Sequence, residues 1–134
     1  MNSSIGTAEF KKRLALLCLK GGGRGFPRKQ RDQYILFKSI ILILEPGRDY
    51  TEAELNEGLV AWLLQVGRNL EVDYVSLRRY LVDTGFIVRD PAGRCYRVNR
   101  DPSVDLFEAG IEQIDPVGVL EEAGREAGEG DGDT

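Results

Sequence analysis

The sequence predicts an α+β chain that is mainly helical, with a C-terminal β-hairpin and one extra helix in front of the main body. Three observations carry this. Apolar residues recur at helical spacing in four stretches between residues 7 and 84. Two short alternating stretches around Pro91, Ala92 and Gly93 then signal a hairpin. A chain of 134 residues is long enough to bury one modest core but not two.

The first helix is expected over Thr7 to Lys20, with Phe10, Leu14, Leu17 and Cys18 at helical spacing and Lys11, Lys12 and Arg13 on other faces. Gly21 to Gly25, GGGRG, stop it. The basic run GGGRGFPRK invites comparison with a phosphate cradle. It lacks the GK[ST] of a P-loop and follows a helix rather than a strand, so it reads as a linker. Pro27 presets a second helix, Arg28 to Glu45, whose apolar residues from Tyr34 to Leu44 surround the axis. One face must meet the rest of the domain, and the other the first helix or a second subunit. On that reading Arg28, Lys29 and Arg31 belong to scaffold.

Thr51 and Glu54 form a capping box for a third helix, about Glu52 to Val66, with Leu55, Leu59, Trp62 and Leu63 as its inner stripe. Tyr50, just before the cap, either staples onto this helix or pairs with the later hairpin. Asp73 caps a fourth helix, Tyr74 to Thr84, and Gly85 takes the left-handed position that ends it. FIVRD and RCYRV supply the hairpin. Three helices followed by a hairpin is the order of a winged helix, so the expected fold is winged-helix-like. The expected organisation is a helix and Gly-rich link over 1–25, a winged-helix-like body over 26–104, and a largely flexible acidic tail over 105–134. The tail carries a weak apolar patch, Leu106, Phe107, Ile111 and Ile114, and its last dozen residues are low in complexity and expected to be disordered.

Composition narrows the function. With no histidine, the commonest general base, the Ser-His and Cys-His pairs and histidine-ligated metal sites are all removed. Cys18 and Cys95 lie too far apart for a CxxC motif and read as free thiols. No spacing of carboxylate, lysine or tyrosine marks a catalytic set, and Glu52, Glu54 and Glu57 are explained by the helix start they occupy. The chain is therefore expected not to be an enzyme and to need no cofactor and no metal. MNSSIGTAEFKKRL has no apolar run before its first charges, and Ile40 to Leu44 is far shorter than a membrane span, so a cytoplasmic protein with no membrane association is expected.

The net charge of −4 hides a partition. Residues 1–104 carry 17 Lys and Arg against 12 Asp and Glu, a balance of +5, whereas residues 105–134 carry one Arg against 10 acids, a balance of −9. Such asymmetry accompanies nucleic-acid binding in some proteins and in others reflects a solvated surface with a solubilising tail.

FPRK, EPGRDYTEAELN and DYVSLRRYLVDTGFIVRDPAGRCYRV together resemble the bacterial domain-of-unknown-function family DUF2087, whose members occur alone or behind helix-turn-helix modules of transcriptional regulators. Tyr50, Thr51, Glu52, Glu54 and Asn56 match its YTE-x-E-x-N pattern, and Leu77, Arg78, Arg79, Leu81, Val82, Asp83 and Gly85 match LRR-x-LVD-x-G. The resemblance covers Phe26 to Val98. It implies a winged-helix-like fold and a regulatory role, with no defined biochemical activity. The acidic tail and Cys95 beside Tyr96 depart from the pattern.

On a helical wheel, Tyr74, Leu77 and Leu81 form the inner face of the fourth helix, Arg78 sits at its edge and Arg79 points nearly opposite, beside Ser76 and Asp83. Arg78 is expected to form a structural ion pair with Glu52 or Glu54, with Glu57 as a further option. Ser76 and Arg79, joined by Arg89, Arg94 and Arg97 of the hairpin and neighbouring Arg100, are the nucleic-acid-binding candidates, facing double-stranded DNA. Hairpin register alone does not say which face each of these arginines takes. A homodimer or a protein partner through the N-terminal helices is also expected, and the alternative function is a protein-interaction or dimerisation module on the winged-helix frame without DNA.

Overall fold

The computed structural model describes residues 4–19, 26–99 and 106–132, with side chains to residue 126. The Gly-rich link at 20–25 and Arg100 lie outside the described residues. The architecture is mainly helical with one small antiparallel hairpin. Its elements are α1 (Thr7–Leu19), α2 (Gln30–Ile43), α3 (Glu52–Gln65), α4 (Tyr74–Asp83), β1 (Ile87–Arg89), β2 (Tyr96–Val98), a 3₁₀ turn (Ala109–Gln113) and α5 (Pro116–Gly132). No helix among the described residues is long and apolar enough to cross a membrane.

α2 is the central helix. Ile35, Leu36, Phe37 and Ile40 are all fully buried, and α1, α3 and α5 pack around them. Tyr34, Ile41, Leu42 and Ile43, on the rest of the apolar surround, are half-buried. α2 starts at Gln30 rather than Arg28, because Lys29 is still extended and the Gln33 side-chain amide holds the Pro27 carbonyl outside the helix. Two ion pairs fasten α1 to α2. Arg13 donates from Nε and Nη2 to the two oxygens of the buried Asp32 carboxylate at 3.1 and 2.8 Å, and Arg31 lies 2.7 Å from Glu9. In α3, Trp62 is fully buried and its indole N–H donates to Ser39 Oγ at 2.9 Å. Ser39 in turn donates to the Leu36 carbonyl, so a polar pair inside the core is fully satisfied.

Both predicted start signals are realised. Thr51 Oγ1 accepts from the Glu54 N–H while Glu54 Oε1 accepts from the Thr51 N–H, and Asp73 accepts from the Ser76 N–H. Gly85 ends α4 at φ +83°, where a Cβ would be strained. Of the two roles open to Tyr50, the structure takes the pairing. Tyr50 and Tyr96 exchange backbone hydrogen bonds of 2.8 and 2.7 Å, adding an extended residue between α2 and α3 to the hairpin.

The segment after the hairpin carries more structure than the sequence suggested. Ile5 pairs with Phe107 in a parallel bridge, Ile111 is fully buried, and Lys38 of α2 forms an ion pair with Glu112. α5 follows, where the sequence predicted no element. Its start is favoured by Pro116 in the first turn and by Asp115, whose carboxylate accepts from the Val117 N–H. Leu120 is buried, and Val117 and Val119 pack on the core. The helix runs to Gly132, through most of the stretch expected to be disordered; Asp133 and Thr134 lie outside the described residues.

Candidate nucleic-acid interface

α4 sits on α3 through Leu77 and Leu81, both fully buried, and this fixes the direction of every other side chain on it. The adjacent arginines consequently live in different surroundings. The Arg78 side chain is 19% exposed and the Arg79 side chain 81% exposed. Arg78 Nη1 donates to Asn56 Oδ1 at 2.5 Å, and Nη2 lies 3.8 Å from Glu52 Oε1. Glu52 Oε1 also accepts from the Tyr96 hydroxyl at 3.2 Å, so one small network joins α3, α4 and β2. Glu54 takes no part in it. Its carboxylate is held by Thr51 and by Arg48 Nη2 at 3.0 Å, and these hydrogen bonds, with the Thr51 backbone foremost, keep its pKa below the usual carboxylate range.

Asn56 is the partner that sequence reasoning missed. It stands one helical turn after Glu52 on α3, so the spacing alone places it on the Glu52 side of that helix. A search for charge partners passes over a neutral amide.

Among the described residues Arg79 has a single close acid, Asp83, with Nε and Oδ2 3.9 Å apart. At that separation and exposure the pair is loose and screened by solvent. Ser76 is half-buried and bonded to Asp73, whose carboxyl is held below its usual range by hydrogen bonds from the Ser76 backbone and side chain. Its polar group therefore sits beside an acid.

The hairpin register answers the question the sequence left open. Val88 pairs with Arg97 and Arg89 with Tyr96, which puts Arg89 and Arg97 on opposite faces. The Arg97 guanidinium donates twice to Asp49 Oδ1, at 2.8 Å from Nε and 2.5 Å from Nη2, and its charge is locally matched. The Arg89 guanidinium lies over the Tyr96 ring, 5.9 Å from its centroid, and the side chain remains exposed. Arg94 is exposed near the Asp90–Gly93 turn, with no carboxylate in salt-bridge range among the described residues. Of the five candidates, Arg79, Arg89 and Arg94 keep guanidiniums turned to solvent, Arg97 is committed to Asp49, and Ser76 to Asp73.

Burial pushes the Cys18 thiol up to about 12, so it stays protonated and inert. Cys95 is a free, half-buried thiol.

The model of a family described as "uncharacterized protein conserved in bacteria" (DUF2087) matches residues 24–98, from the end of the Gly-rich link to the last residue of β2. No curated protein and no solved structure matches the chain. The matched region holds α2, α3, α4 and the hairpin. α1 and α5, which lie outside it, pack against each other.

Proposed function

Because the chain belongs to the uncharacterized bacterial DUF2087 family, we propose from its own geometry that it is a non-catalytic cytoplasmic protein of winged-helix type. In this reading it binds double-stranded DNA through α4 and the hairpin and acts in transcriptional regulation. The observation that carries it is Arg79, 81% exposed at the middle of the last helix before the hairpin, where a recognition helix presents its reading face. The order of elements supports the winged-helix reading. α2, an extended Tyr50, α3, α4 and a hairpin follow one another, and Tyr50 pairs with β2. Arg89 and Arg94 give the hairpin two cations for phosphate oxygens.

Contacts of this kind are mostly electrostatic, so affinity falls steeply with salt. Fluorescence anisotropy with pooled duplex fragments, over roughly 50 to 200 mM salt, tests it. The expected outcome is binding at the low-salt end that weakens across the series. Absence of binding at the low-salt end overturns the reading.

A second reading is a protein-interaction module on the same frame. It is favoured by apolar residues facing solvent on α3 and α4, Leu64 at 68% exposure with Val60 and Val75. In this reading the contact uses α3 and α4, with exposed Leu19 and the half-buried Ile41 and Leu42 of the N-terminal helices as the further apolar surface. Light scattering that shows a monomer at every concentration, with no protein partner recovered by pulldown, counts against it.

A further inference from the structure

Between the entry to α2 and the end of α4 lies an open groove of about 470 Å³, within the range of small-molecule sites. Three aromatic rings build its apolar side. Phe26 stacks on Phe37 with centroids 5.7 Å apart and planes 22° apart, and meets Tyr80 at 5.6 Å. Phe37 is buried and anchors the group, whereas Phe26 and Tyr80 are partly open to the groove. The polar lining includes one cation and one anion, Arg28 and Asp83. Arg28 is exposed and has no carboxylate in salt-bridge range among the described residues, and Asp83 has only the loose contact with Arg79. Thr84 Oγ1 donates to the Tyr80 carbonyl and keeps its lone pairs for an incoming donor.

We propose that this groove binds a free aromatic amino acid or a similar aromatic zwitterion. The ligand ring stacks on Phe26 and Tyr80, where offset or edge contacts add to the area buried. Its carboxylate is taken by the Arg28 guanidinium, whose fork suits two parallel hydrogen bonds. Its ammonium goes to Asp83. A lining with one charge of each sign discriminates against ligands that carry only one, because the other wall charge is then left facing the ligand without a partner. The proposal stands independently of nucleic-acid binding, since none of its contacts requires DNA.

The test is a titration of the ¹⁵N-labelled full chain, followed by NMR, with L-tryptophan, indole-3-acetate and tryptamine. Tryptophan is expected to give saturable shifts at Phe26, Tyr80 and Thr84. The two single-charge analogues should bind more weakly, by about tenfold each. Arg28→Ala and Asp83→Asn, both at exposed positions and checked for a dispersed native spectrum, should each weaken tryptophan by a similar factor. Asp83→Asn should also erase the preference for tryptophan over indole-3-acetate. No saturable shift at these residues by about 10 mM, a concentration beyond the weak end of useful affinity, overturns the proposal. Equal binding of the three compounds, or shifts confined to another part of the chain, overturns it as well.

Discussion

Truncating Arg78 removes a charge-assisted hydrogen bond to Asn56 and leaves Glu52 facing the Tyr96 hydroxyl alone. Arg78→Ala is expected to lower stability by about 1.5 to 3 kcal/mol, the range for hydrogen bonds to charged groups. A thermal or urea melt reads it. Arg79→Ala should melt with the wild type, because its only close acid among the described residues is Asp83 at 3.9 Å on the open surface. This division of two adjacent arginines was legible from the helical wheel, since Leu77 and Leu81 set the buried side and everything else follows by rotation. The identity of the Arg78 partner was only half legible. Glu52 lay among the acids on offer, but Glu54 was already committed to its own cap and to Arg48. Asn56 carries no charge by which to find it.

Among the elements, the helices of the matched region announced themselves through their ends. Thr51 with Glu54, Asp73 with Ser76, and Gly85 are local signals whose chemistry acts over three or four residues, and such signals survive into the fold. The α3–α4 connection carries a less visible constraint. A Cβ on Gly67 would run into the six-membered ring of Trp62, which is fully buried and tied to Ser39. Gly67→Ala is therefore expected to destabilise by about 1 to 3 kcal/mol, as overpacking does. Near-ultraviolet circular dichroism of the single tryptophan should report the displaced ring. No feature of the sequence predicts this, because residues 62 and 67 meet only once α3 has ended and the chain has turned back. The hairpin shows the same limit. Its existence was readable from alternation around Pro91, whereas the opposite faces of Arg89 and Arg97 depend on a register set by the turn.

At the scale of the whole molecule, the ends of the chain close around the matched region. Ile5 pairs with the segment at Phe107, α5 packs on α1, and α1 is held to α2 by Glu9–Arg31 and Arg13–Asp32. A helix whose inward apolar contacts come from Val117, Val119 and Leu120 hardly stands out from acidic, Gly-rich composition, which is why α5 was not foreseen. The Glu9–Arg31 pair gives a pH dependence. The Arg31 guanidinium, hydrogen-bonded to Glu9, holds the Glu9 carboxyl below its usual 4.5, so the charged form is favoured in the folded state. That contribution is complete above the unfolded value and is lost as the pH falls through the lowered folded value. Stability should therefore fall below about pH 4.5, and Glu9→Gln should flatten that acid limb in a series of urea melts. An unchanged acid limb would place the pH sensitivity elsewhere.

The proposed affinity for DNA would also belong to the whole molecule, and Arg79 tests it most directly. The decisive measurement compares wild type, Arg78→Ala and Arg79→Ala by anisotropy on the same duplex pool across the salt series. The account predicts that Arg79→Ala keeps wild-type stability, binds more weakly, and reduces the slope of log affinity against log salt by about one, as loss of a single phosphate contact does. Equal affinity and slope for Arg79→Ala and wild type would contradict it.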